Sequence, residues 1–285
     1  MPSPWVPAPV EGWELACERL VGALAGKRFC LLSGAGCSTE SGIPDYRGGG
    51  TARRARSPIR FREFIQDELG RRRYWARSTL GWPRFRSAEP SRAHLGAASL
   101  EKGGRLTGIV TQNVDRLHTR AGAERVVELH GALAEVVCLD CGALESRDEL
   151  QVRLLDANPG WLEQVVELAP DGDAELPVEC VRDFRVCGCV RCGGVLKPRV
   201  VFFGEGVPVE TVRAAYEHVD AAEALVVAGS SLAVFSGYRF VRRALERGCP
   251  VHVVNIGPTR ADQVATERVA GAAGEVLERL AARLC

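Results

Sequence analysis

Two pairs of cysteines carry the most specific chemical signal in the sequence. Each pair has the spacing Cys-x-x-Cys and is followed directly by glycine. Four thiolates in two such pairs fit the tetrahedral coordination of Zn²⁺, and no catalytic histidine lies beside them, so we predict one structural zinc ion per chain. Cys187 is the one rival ligand. The predicted ligands are Cys138, Cys141, Cys189 and Cys192.

A glycine-rich turn follows the first short apolar run of the chain. The run Phe29–Leu32 is long enough for a buried parallel strand, and the segment Gly34–Gly36 follows it closely. Glycines at this position allow the backbone to approach a diphosphate. Thr39 replaces the third glycine of the usual dinucleotide fingerprint, so a turn without a ligand is an alternative explanation of this motif.

Strands and helices alternate over most of the sequence. Apolar runs typical of strands occur at residues 29–32, 106–110, 224–228 and 251–256, and helical patterns separate them. This alternation predicts an α/β fold with a Rossmann-like parallel sheet and helices on both of its faces. Ligands of such sheets bind at the carboxyl ends of the strands, so the small and polar strand endings should converge on one crevice. Those endings are Ser33–Gly36, Thr111–Asn113, Gly229–Ser231 and Asn255–Gly257.

Shifts in composition divide the chain. The segment after residue 47 is dense in arginine, and the segment around the cysteine pairs is rich in Cys, Gly, Asp and Pro. We therefore predict two insertions into the sheet domain and a proline-rich arm before it. The predicted units are the N-terminal arm at 1–10, the sheet domain at 11–47, 81–137 and 196–285, a helical insertion at 48–80 and a zinc-binding module at 138–195.

The overall composition is that of an ordinary globular protein. The 285 residues include 37 basic and 36 acidic side chains, so the chain lacks the strong positive field that attracts nucleic acids or anionic membranes. No apolar run approaches the length of a membrane span, and the first residues lack the pattern of a secretory signal. We therefore expect a cytoplasmic monomer without nucleic-acid or membrane partners, in which the eleven cysteines are thiols or metal ligands.

The ordered set of motifs resembles the sirtuins, a family of NAD-dependent protein lysine deacylases. The resemblance covers nearly the whole chain, and the stretch Arg73–Arg77 with Gly81–Pro83 is similar to the class II branch. In chain order the motifs are Gly34–Arg47, Thr111–Asp115, Leu129–Gly131, the two cysteine pairs, Phe203–Glu205, Gly229–Ser231 and Asn255–Gly257.

The resemblance implies a reaction and a catalytic group. In the family, the acyl oxygen of an acylated lysine displaces nicotinamide from NAD⁺, and a histidine then deprotonates a ribose hydroxyl, so that lysine, nicotinamide and O-acyl-ADP-ribose are released. His130 would be this general base, a role that suits an imidazole titrating near neutral pH. Asn113 and Asp115 would complete the catalytic set.

The resemblance also implies the binding residues. An acylated protein would pair its backbone with Val201, Phe202 and Phe203 as an added strand. The implied NAD⁺-binding residues are Gly34, Ala35, Gly36, Ser38, Thr39, Asp45, Tyr46, Arg47, Gln112, Asn113, Asp115, Gly229, Ser230, Ser231, Asn255, Ile256, Gly257 and Ala273.

Two residues of the arginine-rich insertion concern which acyl group the protein would prefer. Tyr74 and Arg77 are three residues apart, so on a helix they share a face. They resemble a pair in sirtuin desuccinylases that binds an acyl carboxylate, which would favour carboxylated acyl groups over acetyl. In the alternative interpretation Tyr74 packs, Arg77 is solvated and the tunnel is apolar.

Two other functions share part of this signal. A protein mono-ADP-ribosyltransferase would use the same NAD⁺ chemistry with a protein nucleophile. A non-catalytic NAD⁺-sensing or zinc-ribbon binding module would need none of Asn113, Asp115 and His130, so their joint presence argues against it.

Overall fold

The computed structural model describes residues 10–44, 59–163 and 181–285. Asp45, Tyr46 and Arg47 of the predicted NAD⁺ loop therefore lie outside the described residues, as do most of the N-terminal arm and the first part of the predicted helical insertion. The strands are β1 (Phe29–Ser33), β2 (Leu106–Thr111), β3 (Val126–Glu128), β4 (Gly131–Cys138), β5 (Leu144–Ser146), β6 (Leu196–Val200), β7 (Ala224–Ala228), β8 (Val251–Val254) and β9 (Glu267–Val269).

Helices accompany these strands along the described chain. They are α1 (Trp13–Leu24), α2 (Phe61–Gln66), α3 (Glu68–Ser87), α4 (Arg92–Lys102), α5 (Leu117–Arg120), α6 (Arg147–Ala157), α7 (Val209–Asp220), α8 (Phe235–Glu246) and α9 (Ala273–Leu284). In the described parts of the chain, no helix combines the length and the apolar composition needed to cross a membrane.

Six strands form the predicted parallel sheet, in the order β3-β2-β1-β7-β8-β9. Helices cover both of its faces, which confirms the predicted α/β architecture. Successive side chains of β1 point to opposite faces. Leu31 packs in the apolar cluster formed with α1, α4 and α9, and Leu32 packs in the cluster formed with α7 and α8. Burial on both faces explains why this strand is a continuous apolar run.

A second sheet has three antiparallel strands in the order β5-β4-β6. Residues 131–137 and 196–200, which lie in the predicted sheet domain where it borders the predicted zinc-binding module, belong to this second sheet. The residues of β4 are only intermittently buried, as in a sheet with one face toward the core, and so differ from the apolar runs of the parallel sheet. Gly131 begins β4 with a φ of 76°, and a Cβ there would lie 2.0 Å from the carbonyl oxygen of Arg199, so the position requires glycine.

The helix α3 spans 20 residues and contains a proline. Asp67 caps its start by accepting hydrogen bonds from the backbone N–H groups of Leu69 and Gly70. The helix continues beyond residue 80, the predicted end of the helical insertion, and contains Pro83. Proline cannot donate to the carbonyl four residues earlier, which belongs to Thr79. The side-chain amide of Gln151 donates to that carbonyl at 2.8 Å instead, so the Thr79 carbonyl keeps a hydrogen bond where the helix continues.

Candidate active site and metal centre

A cavity of about 870 Å³ lies at the carboxyl ends of the parallel strands. All four strand endings that the sequence predicted to converge contribute to its walls, together with His130. Of the predicted NAD⁺-binding residues, those within the described ranges all line it. They are Gly34, Ala35, Gly36, Ser38, Thr39, Gln112, Asn113, Asp115, Gly229, Ser230, Ser231, Asn255, Ile256, Gly257 and Ala273.

Two glycine turns meet at one end of this cavity. A Cβ on Gly34 would lie 2.7 Å from the Ser230 Cβ, and a Cβ on Gly36 would lie 2.8 Å from the Gly229 Cα. Gly229 itself has a φ of 61°. The ends of β1 and β7 therefore approach each other as closely as backbone allows, which leaves a surface of main-chain atoms of the kind that accommodates a diphosphate. The residues at this end of the cavity fit NAD⁺.

Polar side chains tie the strand endings together on the cavity floor. The Ser38 hydroxyl donates to Asp115 Oδ2 at 2.6 Å and accepts from Asn113 Nδ2 at 2.9 Å. Asn113 Nδ2 also lies 3.1 Å from the Gly34 carbonyl oxygen. Gln112 Nε2 donates to the Ser230 hydroxyl at 2.8 Å, joining β2 to the turn after β7. These bonds fix the side chains that the sequence predicted to hold the ribose and nicotinamide.

His130 is held at both ring nitrogens. Nδ1 lies 2.8 Å from the Gln112 carbonyl oxygen, which can only accept, so Nδ1 bears the proton. Nε2 is then the unprotonated nitrogen and accepts from the Ser236 hydroxyl at 2.8 Å. Burial lowers the pKa of His130, the Gln112 carbonyl opposes this shift, and the charge of Arg239 adds to it. The imidazole is therefore neutral at physiological pH, with its basic nitrogen facing the cavity.

Two further histidines lie buried behind the cavity floor. His118 Nε2 is 2.8 Å from the Ser33 hydroxyl, and the rings of His94 and His118 are 4.7 Å apart, edge to face. Burial lowers the pKa of each to about 3, so both are neutral. Neither histidine lines the cavity.

The predicted substrate strand continues from β6 along the cavity wall. Val201, Phe202 and Phe203 all line the cavity. One edge of this segment is already occupied, since the Phe203 carbonyl accepts from the backbone N–H of Phe61 at 3.0 Å. Beneath it the buried Lys197 contacts Glu205 at 3.0 Å, and its ammonium lies 4.8 Å from the Phe202 ring centre.

Tyr74 and Arg77 both lie on α3, as their spacing predicts. Tyr74 is buried, lines the cavity and packs edge to face against Phe64 and Phe202. Arg77 is half-buried and is not among the residues that line the cavity. The structure thus brings only the tyrosine of this pair to the cavity wall.

The first two turns of α8 contain cavity residues that the sequence analysis missed. Ser236 and Arg239 line the cavity, next to the exposed Phe235. Their positions in the sequence gave one indication of this role. The helix begins shortly after the Gly229–Ser231 turn, and Ser236 and Arg239 are three residues apart, so they share a face of the helix. Which face of that helix is turned toward the cavity could not be read from the sequence.

The four predicted zinc ligands form one cluster, with their Sγ atoms all within 4.8 Å of one another. Sγ of Cys138 lies 3.5 Å from that of Cys192, and Sγ of Cys141 lies 3.8 Å from that of Cys189. A tetrahedral zinc with Zn–S bonds of about 2.3 Å requires sulfurs about 3.8 Å apart, so the cluster fits Zn²⁺. Cys187 is outside the cluster.

Backbone N–H groups point at two sulfurs of the cluster. Backbone N–H groups of Cys141 and Asp140 lower the pKa of the Cys138 thiol to about 7. The backbone N–H of Gly194 points at Sγ of Cys192 at 3.4 Å. Zn²⁺ bound here would connect β4 to the turn before β6 without an open coordination position, which is a structural role.

Comparison with known proteins identifies the family. A profile of the Sir2 family matches residues 34–236. The chain is 52% identical over 262 residues to NAD-dependent protein deacetylase 1 of Streptomyces coelicolor, covering 92% of this chain and 88% of that protein. It is 49% identical over 254 residues to the mitochondrial NAD-dependent protein lipoamidase sirtuin-4 of Homo sapiens, covering 88% and 81%. A solved Sir2 structure with a p53 peptide and NAD⁺ has a TM-score of 0.73 at 28% identity, over 92% of this chain and 96% of that one. The chain belongs to the Sir2 family.

Proposed function

We propose that this protein is an NAD-dependent protein lysine deacylase that releases nicotinamide and O-acyl-ADP-ribose. The observation that carries the proposal is the neutral His130, whose Nε2 faces a cavity walled by glycine turns. The names of the Streptomyces coelicolor and Homo sapiens relatives, a deacetylase and a lipoamidase that depend on NAD, support it.

NAD⁺, as co-substrate, supplies the ribose carbon that the acyl oxygen attacks and the nicotinamide that leaves. The turns at Gly34, Gly36 and Gly229 hold the diphosphate on backbone atoms. Asn113 and Asp115 orient the ribose and nicotinamide through the Ser38 network. His130 takes a proton at Nε2 from a ribose hydroxyl, and the Gln112 carbonyl stabilises the positive ring that results. Val201, Phe202 and Phe203, at the cavity wall, would receive the backbone of the substrate chain.

The test of this proposal is product analysis. Purified protein is incubated with NAD⁺ and an acetyl-lysine peptide, and nicotinamide, free peptide and O-acyl-ADP-ribose are quantified. We expect the three products in equal amounts. Nicotinamide release with ADP-ribose attached to protein, and no acyl transfer, would indicate mono-ADP-ribosyl transfer instead.

The preferred acyl group is a further part of the proposal. We infer that Tyr74, at the cavity wall, and Arg77, one turn along α3, favour acyl groups that end in a carboxylate. The test compares kcat/KM on matched acetyl and glutaryl peptides for the wild type and Arg77→Ala. Arg86→Ala, an exposed arginine of the same helix, is the control. A wild-type preference for acetyl, or a glutaryl preference that survives Arg77→Ala, would contradict this inference. The alternative interpretation, in which the acyl group enters a plain apolar tunnel, would then hold.

Other features stay predictions of the sequence. They are the division into domains, the cytoplasmic location, the monomeric state and the lack of nucleic-acid and membrane partners. Size-exclusion chromatography with light scattering tests the monomeric state directly.

A further inference from the structure

Arg239 lies on the face of α8 that points into the cavity. It is three residues after Ser236, whose hydroxyl contacts His130 Nε2, and both line the cavity. Its guanidinium carbon lies 5.7 Å from the ring centre of Phe235, one turn earlier. The helix therefore presents a cation to the cavity close to the general base.

The charged side chains around the cavity differ in whether other protein groups form ion pairs or hydrogen bonds with them. Among the described residues that line it, Glu40 pairs with Arg92 at 2.8 Å and Glu205 pairs with Lys197 at 3.0 Å. Asp115 accepts from the Ser38 hydroxyl and from a backbone N–H. Arg239 is the one cation that lines the cavity within the described ranges.

Arg239 differs from these acidic residues, because one of its hydrogen-bond donors is left unpaired by the described residues. Its Nε is buried and has no hydrogen-bond partner among the described residues. Buried donors are nearly always paired, so an unpaired one in a cavity wall points to a ligand. A guanidinium offers a planar fork of N–H groups that matches a carboxylate, which accepts two hydrogen bonds at once.

The position of Arg239 indicates whether it would contact NAD⁺ or the acyl-lysine substrate. The glycine turns that fit the diphosphate follow β1 and β7, whereas Arg239 is one turn along α8 from Ser236, whose hydroxyl contacts His130 Nε2. The segment Gly204–Val207, next to the proposed substrate strand, lines the same cavity. An anion beside Arg239 therefore belongs to the acyl-lysine substrate.

We propose that Arg239 binds a carboxylate of the acylated substrate next to His130. This inference rests on the proposed function and adds a specificity residue to it. The carboxylate has two sources: the end of a dicarboxylic acyl group, or an Asp or Glu side chain beside the acylated lysine.

The experiment uses four peptides of one sequence. They carry acetyl- or glutaryl-lysine, each with Glu or Gln at the neighbouring position. The full-length protein is compared with Arg239→Gln and Arg239→Lys, at a pH well above the pKa of His130. Arg242→Gln is the matched control, because Arg242 is on the same helix with 57% of its side chain exposed. Both kcat/KM and peptide Kd, by fluorescence anisotropy, are measured.

We expect Arg239→Gln to lower kcat/KM for one class of carboxylate-bearing peptide by roughly tenfold to a hundredfold relative to its neutral counterpart. Arg239→Lys should restore part of the ratio, since it keeps the charge without the fork. A loss confined to glutaryl peptides assigns the acyl carboxylate, and a loss confined to Glu peptides assigns the flanking residue. Arg242→Gln should leave every ratio unchanged.

Unchanged ratios in Arg239→Gln protein that melts within a few degrees of the wild type would overturn the inference. If no peptide loses its acyl group, the proposed function fails separately. In that case the Kd ratios still decide whether Arg239 binds a carboxylate.

Discussion

The Ser236 hydroxyl donates a hydrogen bond to His130 Nε2 across 2.8 Å, so the nitrogen that accepts the proton is occupied in the free protein. A hydroxyl both donates and accepts, so this contact orients the imidazole in either protonation state. Burial lowers the His130 pKa, and the charge of Arg239 lowers it further. We therefore expect Arg239→Gln to raise the His130 pKa and to move the acidic limb of the kcat/KM profile to higher pH. A limb that stays in place would show that the charge of Arg239 does not act on His130.

His130→Tyr should abolish deacylation. Loss of a general base removes about 10² to 10⁴ in rate, and a phenol at this position also obstructs the ribose hydroxyl. The variant should keep the circular dichroism spectrum of the wild type, because His130 is at the cavity wall and not in the core. Single-turnover rates within tenfold of the wild type would contradict the assigned role.

Gly36→Ala should weaken NAD⁺ binding by at least about tenfold. The new Cβ would meet Gly229 at 2.8 Å, and backbone on both sides must separate to admit it. Gly206→Ala is the matched control, since it lines the same cavity but its Cβ would have no neighbour within 4 Å. Calorimetric titration of both variants with NAD⁺ measures the difference. Equal affinities would show that the glycine turns do not form the nucleotide site.

Cys189→Ser should remove the bound zinc and unfold the three-stranded sheet. The cluster connects β4 to the segment before β6, so the free energy of metal binding contributes to folding. Cys187→Ser should retain one zinc per chain, because Cys187 lies outside the cluster. Elemental analysis of both proteins, with thermal melts before and after chelation, makes the comparison. Full zinc occupancy in Cys189→Ser would refute the ligand assignment.

The buried histidines should make stability depend on pH. His94 and His118 have folded pKa values near 3, against about 6.5 in an unfolded chain. Between these values the unfolded chain binds more protons, so the free energy of unfolding falls as the pH falls below 6.5. From pH 6.5 to 5 the loss should be about 1 to 2 kcal/mol for each histidine.

Urea unfolding of His118→Gln and the wild type tests this dependence. The variant should show a shallower decline between pH 6.5 and 5, and the same pH slope as the wild type above pH 7.5. Parallel curves at all pH values would show that His118 titrates normally in the folded protein.

The central strands and the crevice could be predicted because their determinants are local. A strand buried on both faces, such as Ala224–Ala228, is apolar throughout, and parallel topology brings the strand endings together. The edge strands Val126–Glu128 and Glu267–Val269 have three residues each, too few to show a pattern.

Long-range contacts determine the features that could not be predicted. The carbonyl that Pro83 leaves unpaired is satisfied by Gln151, far along the chain, so the continuation of α3 has no local signal. Arg239 likewise is one arginine among many in the sequence, and only the packing of α8 against the parallel sheet turns it toward the cavity.

The pairing of Lys197 with Glu205 has a consequence for the protein's own chemistry. Reactive thioesters acylate lysines whose amines are exposed and deprotonated, and Lys197 is 4% exposed, with its ammonium donating to the Val200 carbonyl and to Glu205. The sequence contains two other lysines, the half-buried Lys27 and the exposed Lys102. A protein proposed to remove acyl groups from lysine thus offers few amines for acylation of itself, and neither remaining lysine lines the cavity. Spontaneous acylation in an acyl-CoA-rich medium should therefore leave its catalytic surface chemically unchanged.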